Sequence, residues 1–290
     1  MSVMRSTWCS LDAGSREREY SPSSCIGGDY QSYIRAYAER SREARSKNPV
    51  RCDLRYGVHA AQCLDLFVPP HPSAGATPGS PPLLVFIHGG YWQELSKEDS
   101  AFPATDCVRQ GIAYAAIDYT LAPHATLAQM VVECREALSW LHGNAASLGF
   151  DAERIVVAGS SAGAHLAAMA ALPATRRVRG AVLVSGIYEL EPLVGTSINE
   201  AVGLSIAGAR EASPALQALE GFPPSIVCWG EVETREFKRQ SLDFAARLER
   251  AGSACRFFEV PQRNHFDVIL DLADPGTVLG RAVAALMRTA

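Results

Sequence analysis

Short, nearly unbroken apolar runs recur along this chain, separated by longer stretches in which apolar residues return every three or four positions. Leu83–Ile87, Ile112–Ile117, Arg154–Ala158, Gly180–Ser185, Ser225–Trp229 and Cys255–Val260 are rich in β-branched and aliphatic residues. That is the pattern of strands covered on both faces. Between them, Leu127, Met130, Val131, Cys134, Leu138 and Leu141 form one stripe of an amphipathic helix, and further helices are predicted over 236–252 and 275–288. Earlier, Asp53–Tyr56 and Gln62–Val68 alternate polar with apolar residues, predicting a half-exposed antiparallel hairpin. Tyr33, Ile34, Tyr37 and Ala38 fall at helical spacing within 30–44. Strand–helix alternation of this kind predicts an α/β architecture: a mostly parallel, eight-stranded sheet flanked by helices, with functional residues at the strands' C-terminal ends. Residues 1–50 read as an N-terminal helical arm packed on a single domain, 51–290. Within that domain, 186–224 lacks a strand pattern and reads as a small lid. The Pro/Gly-rich stretch 69–82 is a loop and not a linker, because strands on both sides belong to one sheet.

Length and charge narrow the function. The 290 residues suffice for a large core, and a net charge of −4 argues against nucleic acid or an anionic membrane as partner. No apolar stretch approaches the ~20 residues of a membrane span, and Met1–Ser10 has no signal-like apolar core, so a cytoplasmic protein is expected. Eight scattered cysteines carry no zinc-ligand spacing, and Cys107, Cys134 and Cys228 sit in apolar periodic segments as small hydrophobes. No metal or organic cofactor is called for. A small molecule is the expected partner, with a homodimer left open.

The chemistry lies at the ends of the apolar runs. After Arg154–Ala158 comes Gly159-Ser160-Ser161-Ala162-Gly163, a G-x-S-x-G turn that opens into a small-residue helix. A strand ending this way is the nucleophile elbow of an α/β-hydrolase, with Ser161 held in a strained, accessible position and Ser160 pointing away. After Leu83–Ile87 comes His88-Gly89-Gly90-Tyr91-Trp92. Its glycines let backbone N–H groups approach a developing oxyanion, and the N–H of Ala162 supplies a further donor. His88 reads as a brace for this loop. After Cys255–Val260, Asn264-His265-Phe266-Asp267 supplies the base, giving the chain order Ser, acid, His. A serine hydroxyl needs an imidazole to take its proton, and the imidazole needs a carboxylate to fix its tautomer. His165, one helical turn past Ser161, reads as packing, and His124 as a weak substrate-side candidate. Glu231, Glu233 and Asp267 all compete for the acid. A Gly-x-x-acid register from Gly230 favours Glu233, whereas Asp267 also suits a helix N-cap.

His88-Gly-Gly-Tyr-Trp92, Gly159–His165, Ser185-Gly-Ile-Tyr-Glu-Leu190, Glu236–Ser241, Asn264-His-Phe266 and Glu19-Tyr-Ser-Pro-Ser23 together resemble the kynurenine formamidase (arylformamidase) family, in the hormone-sensitive-lipase-like group of α/β-hydrolases. The resemblance runs from about residue 19 to 270. It implies hydrolysis of N-formyl-L-kynurenine to L-kynurenine and formate through Ser161, Glu233 and His265, with an oxyanion hole at Gly89, Gly90 and Ala162. Tyr91, Trp92 and Tyr188 are the expected aromatic wall for an aryl substrate. Glu233 departs from the family's Asp, and 190–215 has no matching pattern. Two other functions use the same features: a short-chain esterase or carbamate hydrolase, and an inactive fold kept as a binding module.

Overall fold

The computed structural model describes residues 7–70, 79–172 and 178–289. Part of the proline-rich loop, including His71, lies outside the described residues. The strands are β1 (Val50–Arg55), β2 (Cys63–Phe67), β3 (Leu83–Ile87), β4 (Ala113–Ile117), β5 (Ile155–Ser160), β6 (Gly180–Val184), β7 (Ser225–Val232) and β8 (Cys255–Asn264). They form one eight-stranded sheet in the order β1-β2-β4-β3-β5-β6-β7-β8. The pairs β1–β2 and β2–β4 are antiparallel, and β4 through β8 run parallel.

The helices are α1 (Ala13–Glu19), α2 (Gln31–Lys47), α3 (Ala104–Arg109), α4 (Leu127–Leu148), α5 (Ala162–Ala170), α6 (Asn199–Val202), α7 (Ile206–Glu211), α8 (Arg235–Arg250) and α9 (Val278–Thr289). The longest, α4, starts at a capping box in which Thr126 and Gln129 exchange side-chain and backbone bonds, and it stops at left-handed Gly149 (φ 92°). Side-chain alternation along β3 sorts the core into two layers. Leu83, Val85 and Ile87 pack with α4, α5 and α8, whereas Leu84 and Phe86 pack with α2, α3 and α9. Both faces of the sheet are thereby covered, which is why its central strands read as continuous apolar runs.

The hairpin differs from its expected exposure. Strand β1 is largely exposed, but β2 is buried throughout because it lies between β1 and β4. The polar position in β2 is satisfied by charged partners. Asp65 is fully buried, accepts from Arg45 Nε of α2 at 3.0 Å, and lies 3.1 Å from Lys97 Nζ. Asp53 and Glu98 join the same ammonium at 2.9 and 2.6 Å, so the three carboxylates that converge here share Lys97 as countercharge.

Segment 186–224 contains α6, α7 and two 3-10 turns, Glu191–Leu193 and Pro214–Leu216. Its docking onto α5 uses His165, whose Nε2–H donates to the Ala212 carbonyl at 2.7 Å. Among the described residues, no helix is long and apolar enough to cross a membrane.

Candidate active site

Ser161 sits between β5 and α5 at φ 57° and ψ −122°, a conformation a serine adopts only under constraint. The constraint is close packing on both sides. A Cβ on Gly159 would stand 2.2 Å from the Gly163 carbonyl oxygen, and one on Gly163 would stand 2.1 Å from that of Ile87. Only hydrogen fits at either position, so strand β5 and helix α5 can meet at the sharp angle that lifts Ser161 to the sheet's edge. Ala162 is the first residue of α5, where a backbone N–H has no partner within the helix.

The loop after β3 lies directly over this turn. A Cβ on Gly89 would come within 2.8 Å of the Ser160 carbonyl oxygen and 3.3 Å of Ser161 Cβ. Gly90, Tyr91 and Trp92 follow with φ of 87°, 47° and 62°, three consecutive left-handed residues, two of them bulky. Such strain persists only where neighbours over-determine it. The His88 carbonyl accepts from the Tyr119 hydroxyl at 3.1 Å, and the Trp92 carbonyl accepts from Ala122 N–H at 2.8 Å. His88 stacks on Tyr119 and donates from Nδ1 to the Gly89 carbonyl at 3.0 Å. Burial depresses its basicity to about 4, so it braces the loop as a neutral ring.

His265 follows β8. Its Nδ1 lies 3.0 Å from Glu233 Oε2, while Glu233 Oε1 accepts from the Ser185 hydroxyl and from Gly230 N–H, each at 2.6 Å. Glu233 is thus buried and fully engaged. The competing acids face elsewhere. Glu231 is exposed and accepts from Gln262 N–H at 2.7 Å. Asp267 stands at the N-cap position of a 3-10 turn, yet its carboxylate turns back to Asn264 N–H at 2.7 Å and makes no cap bond. The ring of Phe237 in α8 meets His265 edge-on at 4.5 Å.

Ser161, His265, Gly89, Gly90 and Tyr91 converge on one cavity of about 220 Å³. Ser160, expected to point away, contributes to its wall as well. Two expected aromatic wall residues are absent from it. Trp92 is fully buried, edge-on to His165, because its left-handed backbone turns the side chain into the core. Tyr188 is also buried, stacked on Phe244 at 4.2 Å with its hydroxyl where a Cβ on Gly186 would stand. His124 lines a different depression, beside His59 and Thr120.

The aromatic wall comes instead from residues to which the sequence reading gave no substrate role. Tyr30, Ile34 and Tyr37, on and beside α2, line the cavity with Phe266, and Ser21, Pro22 and Ser23 of the preceding turn join them. The same elements hold the histidine loop. Tyr30 and Tyr33 both stack on Phe266, the Tyr37 hydroxyl donates to its carbonyl, and Asn264 Nδ2 donates to the Tyr33 hydroxyl at 2.9 Å. The signal lay in tyrosines at helical spacing, which also suits ordinary packing. A serine, a histidine fixed by a carboxylate, and a glycine loop over the serine together can perform acyl transfer through a covalent intermediate.

The BD-FAE family model matches residues 64–190. A kynurenine formamidase of Salmo salar is 31% identical over 93% of this chain and 94% of its own length. One of Danio rerio is 29% identical over 97% and 99%. Among solved structures, a proposed thioesterase from Silicibacter sp. is 27% identical with a TM-score of 0.78, covering 94% of this chain and 98% of that one.

Proposed function

The chain belongs to the kynurenine formamidase family, and on that premise we propose that it is a serine hydrolase cleaving an aryl formamide, N-formyl-L-kynurenine, to L-kynurenine and formate. The observation that carries this reading is the convergence of Ser161, the Glu233–His265 pair and the Gly89-Gly90 loop on one aromatic cavity. Ser161 Oγ attacks the formyl carbon as His265 Nε2 takes its proton. The tetrahedral oxyanion rests on the N–H groups of Gly89, Gly90 and Ala162, where losing one donor typically costs ~3 kcal/mol. His265 then protonates the departing aryl amine, and the C–N bond breaks to leave formyl-Ser161. A water deprotonated by His265 attacks this ester and releases formate, restoring the serine. Glu233 fixes the imidazole tautomer and stabilises its cationic form. No step calls on a metal or organic cofactor.

Residues 1–50 serve here as an arm that completes the substrate cavity of a single domain, and 186–224 as a lid whose Ile198 reaches the cavity wall. Tyr91 is the retained substrate contact among the expected three. Eight free cysteines suit a reducing, cytoplasmic setting.

The test is an acyl series on one aryl amine or phenol. A tight acyl side costs formyl nothing, whereas each added methylene that does not fit is worth ~1–3 kcal/mol. The expected order in kcat/KM is formyl, then acetyl, then butyryl, with Ser161→Ala lowering kcat by about three orders of magnitude or more. Preference for butyryl would replace this reading with a short-chain esterase. Activity that survives Ser161→Ala but not Ser160→Ala would move the nucleophile.

A further inference from the structure

The cavity that holds Ser161 and His265 is aromatic on its walls and acidic in its charge. Among the described residues that line it, Glu94 and Asp99 are the carboxylates, and there is no lysine or arginine. Neither carboxylate is ion-paired among the described residues, which sets them apart from Asp53, Asp65, Glu189 and Glu236, each held by a lysine or arginine. Glu94 lies on the same loop as Gly89 and Gly90, four residues past Gly90 and packed against it. A Cβ on Gly90 would meet the Glu94 carbonyl at 2.3 Å and its Cγ at 2.9 Å. The carboxylate is exposed at the cavity mouth and accepts from the Tyr30 hydroxyl at 3.2 Å. One hydroxyl occupies one of about four acceptor positions on a carboxylate, leaving room for a ligand's donors. Beside it, the rings of Tyr30 and Phe266 stack at 5.2 Å, and aromatic faces of this kind attract cations.

Resting on the formamidase reading, we propose that Glu94 determines specificity for the leaving group by recognising a positive charge at the far end of the aryl substrate. The site then selects aryl formamides that carry an alkylammonium group, and a carboxylate on the same side chain goes unread because no lysine or arginine among the described residues lines the cavity to receive it. For a zwitterionic amino acid such as N-formyl-L-kynurenine, recognition runs through the amino group. Glu94 is a binding residue in this scheme and takes no part in proton transfer.

Three 2-formamidophenyl ketones separate the charges: N-formyl-L-kynurenine with both groups, an analogue with a terminal ammonium alone, and one with a terminal carboxylate alone. For the native enzyme, kcat/KM should be similar for the first two and about tenfold lower for the third, the scale of one attraction lost and one like-charge repulsion gained at a partly exposed site. Glu94→Gln should narrow that ratio to within about threefold, and raising salt should narrow it in the native enzyme, since charges at an open mouth are screened. A native enzyme that turns over the carboxylate analogue as well as the ammonium analogue overturns the role of Glu94 and leaves the formamidase reading intact. Equal losses on all three substrates in Glu94→Gln would make the residue a support for Tyr30 and overturn the proposal. Failure to cleave any of the three, with aryl acyl esters still hydrolysed, overturns the formamidase reading itself.

Discussion

The two oxygens of Glu233 do different work. Oε2 faces His265, while Oε1 is held by Ser185 and Gly230. A glutamate is one methylene longer than an aspartate, so it has an additional torsion to immobilise, and the paired donors do that. Ser185 itself sits at φ 51°, fully buried, with its hydroxyl aimed at the acid. In the proposed triad, Glu233→Gln should lower kcat by about 10⁴-fold, because an amide presents the wrong group to Nδ1. Glu231→Gln and Asp267→Asn should stay within about tenfold, since those side chains engage backbone N–H groups that an amide oxygen can also serve. Removing the Ser185 hydroxyl takes one charge-assisted bond from Glu233, so Ser185→Ala should cost about 10–100-fold and Ser185→Thr should recover part of it. Steady-state kinetics on an aryl formamide with parallel circular dichroism checks the series, and a dominant loss at Asp267 would reassign the acid. At this scale Ser161, His265 and Glu233, the residues that the structure brings together, stand out in the sequence because strand ends and Gly spacing mark them. The burial of Trp92 and Tyr188 does not, since whether a loop aromatic faces a cavity or the core depends on backbone angles that no residue pattern reveals.

Strands and helices meet most tightly where β5 turns into α5, and the glycines there can be told apart by what surrounds them. Gly163→Ala should destabilise the fold by several kcal/mol or prevent its accumulation, because the added methyl would meet the carbonyl oxygens of Ile87 and His88 at 2.1 and 2.5 Å, and backbone atoms cannot step aside. Gly143, inside α4, has open space around its missing Cβ. Gly143→Ala should therefore be stabilising by about 0.5–1 kcal/mol through helix propensity. Denaturant unfolding of both variants tests the contrast, and equal behaviour would refute the close-packing account. Another element, α8, explains a motif that sequence alone left unassigned. Glu236 accepts from the Tyr20 hydroxyl, Phe237 packs on His265, and Gln240 bonds Tyr20, Tyr188 and Glu189. One helix therefore ties the histidine, the start of segment 186–224 and the N-terminal arm together. The arm's helix was legible from its period, but its place against the histidine loop was not, because that contact joins residues more than two hundred positions apart.

Among the described residues, His88 and His165 are imidazoles that burial keeps neutral, and their proton balance weighs on the stability of the whole molecule in acid. Burial pushes His88 and His165 from 6.5 down to about 4, so between those values the unfolded chain binds protons that the native state refuses. Stability then falls as pH drops through this window, by up to about 3 kcal/mol for each ring. Asp118 opposes them. Burial raises its carboxyl from 3.8 to about 6, so the native state holds an extra proton there and gains stability as pH falls. The two histidine shifts outweigh the rise at Asp118 and the smaller rises that burial causes at Asp106 and Asp267, and the melting temperature should drop by several degrees from pH 7 to pH 4.5. Scanning calorimetry at the two values checks this, and an unchanged or higher melting temperature at pH 4.5 would contradict it. The arm has a consequence of another kind, in time. Tyr20 leaves the ribosome early, yet its partner Glu236 lies 216 residues later. At 5–20 residues per second, the first part of the chain waits roughly 10–40 s for the surface it docks on. The serine turn and its covering loop are synthesised well before that, so the wall that selects the substrate is the last part of the pocket to close, and a nascent chain passes through a stage with its pocket still open on that side.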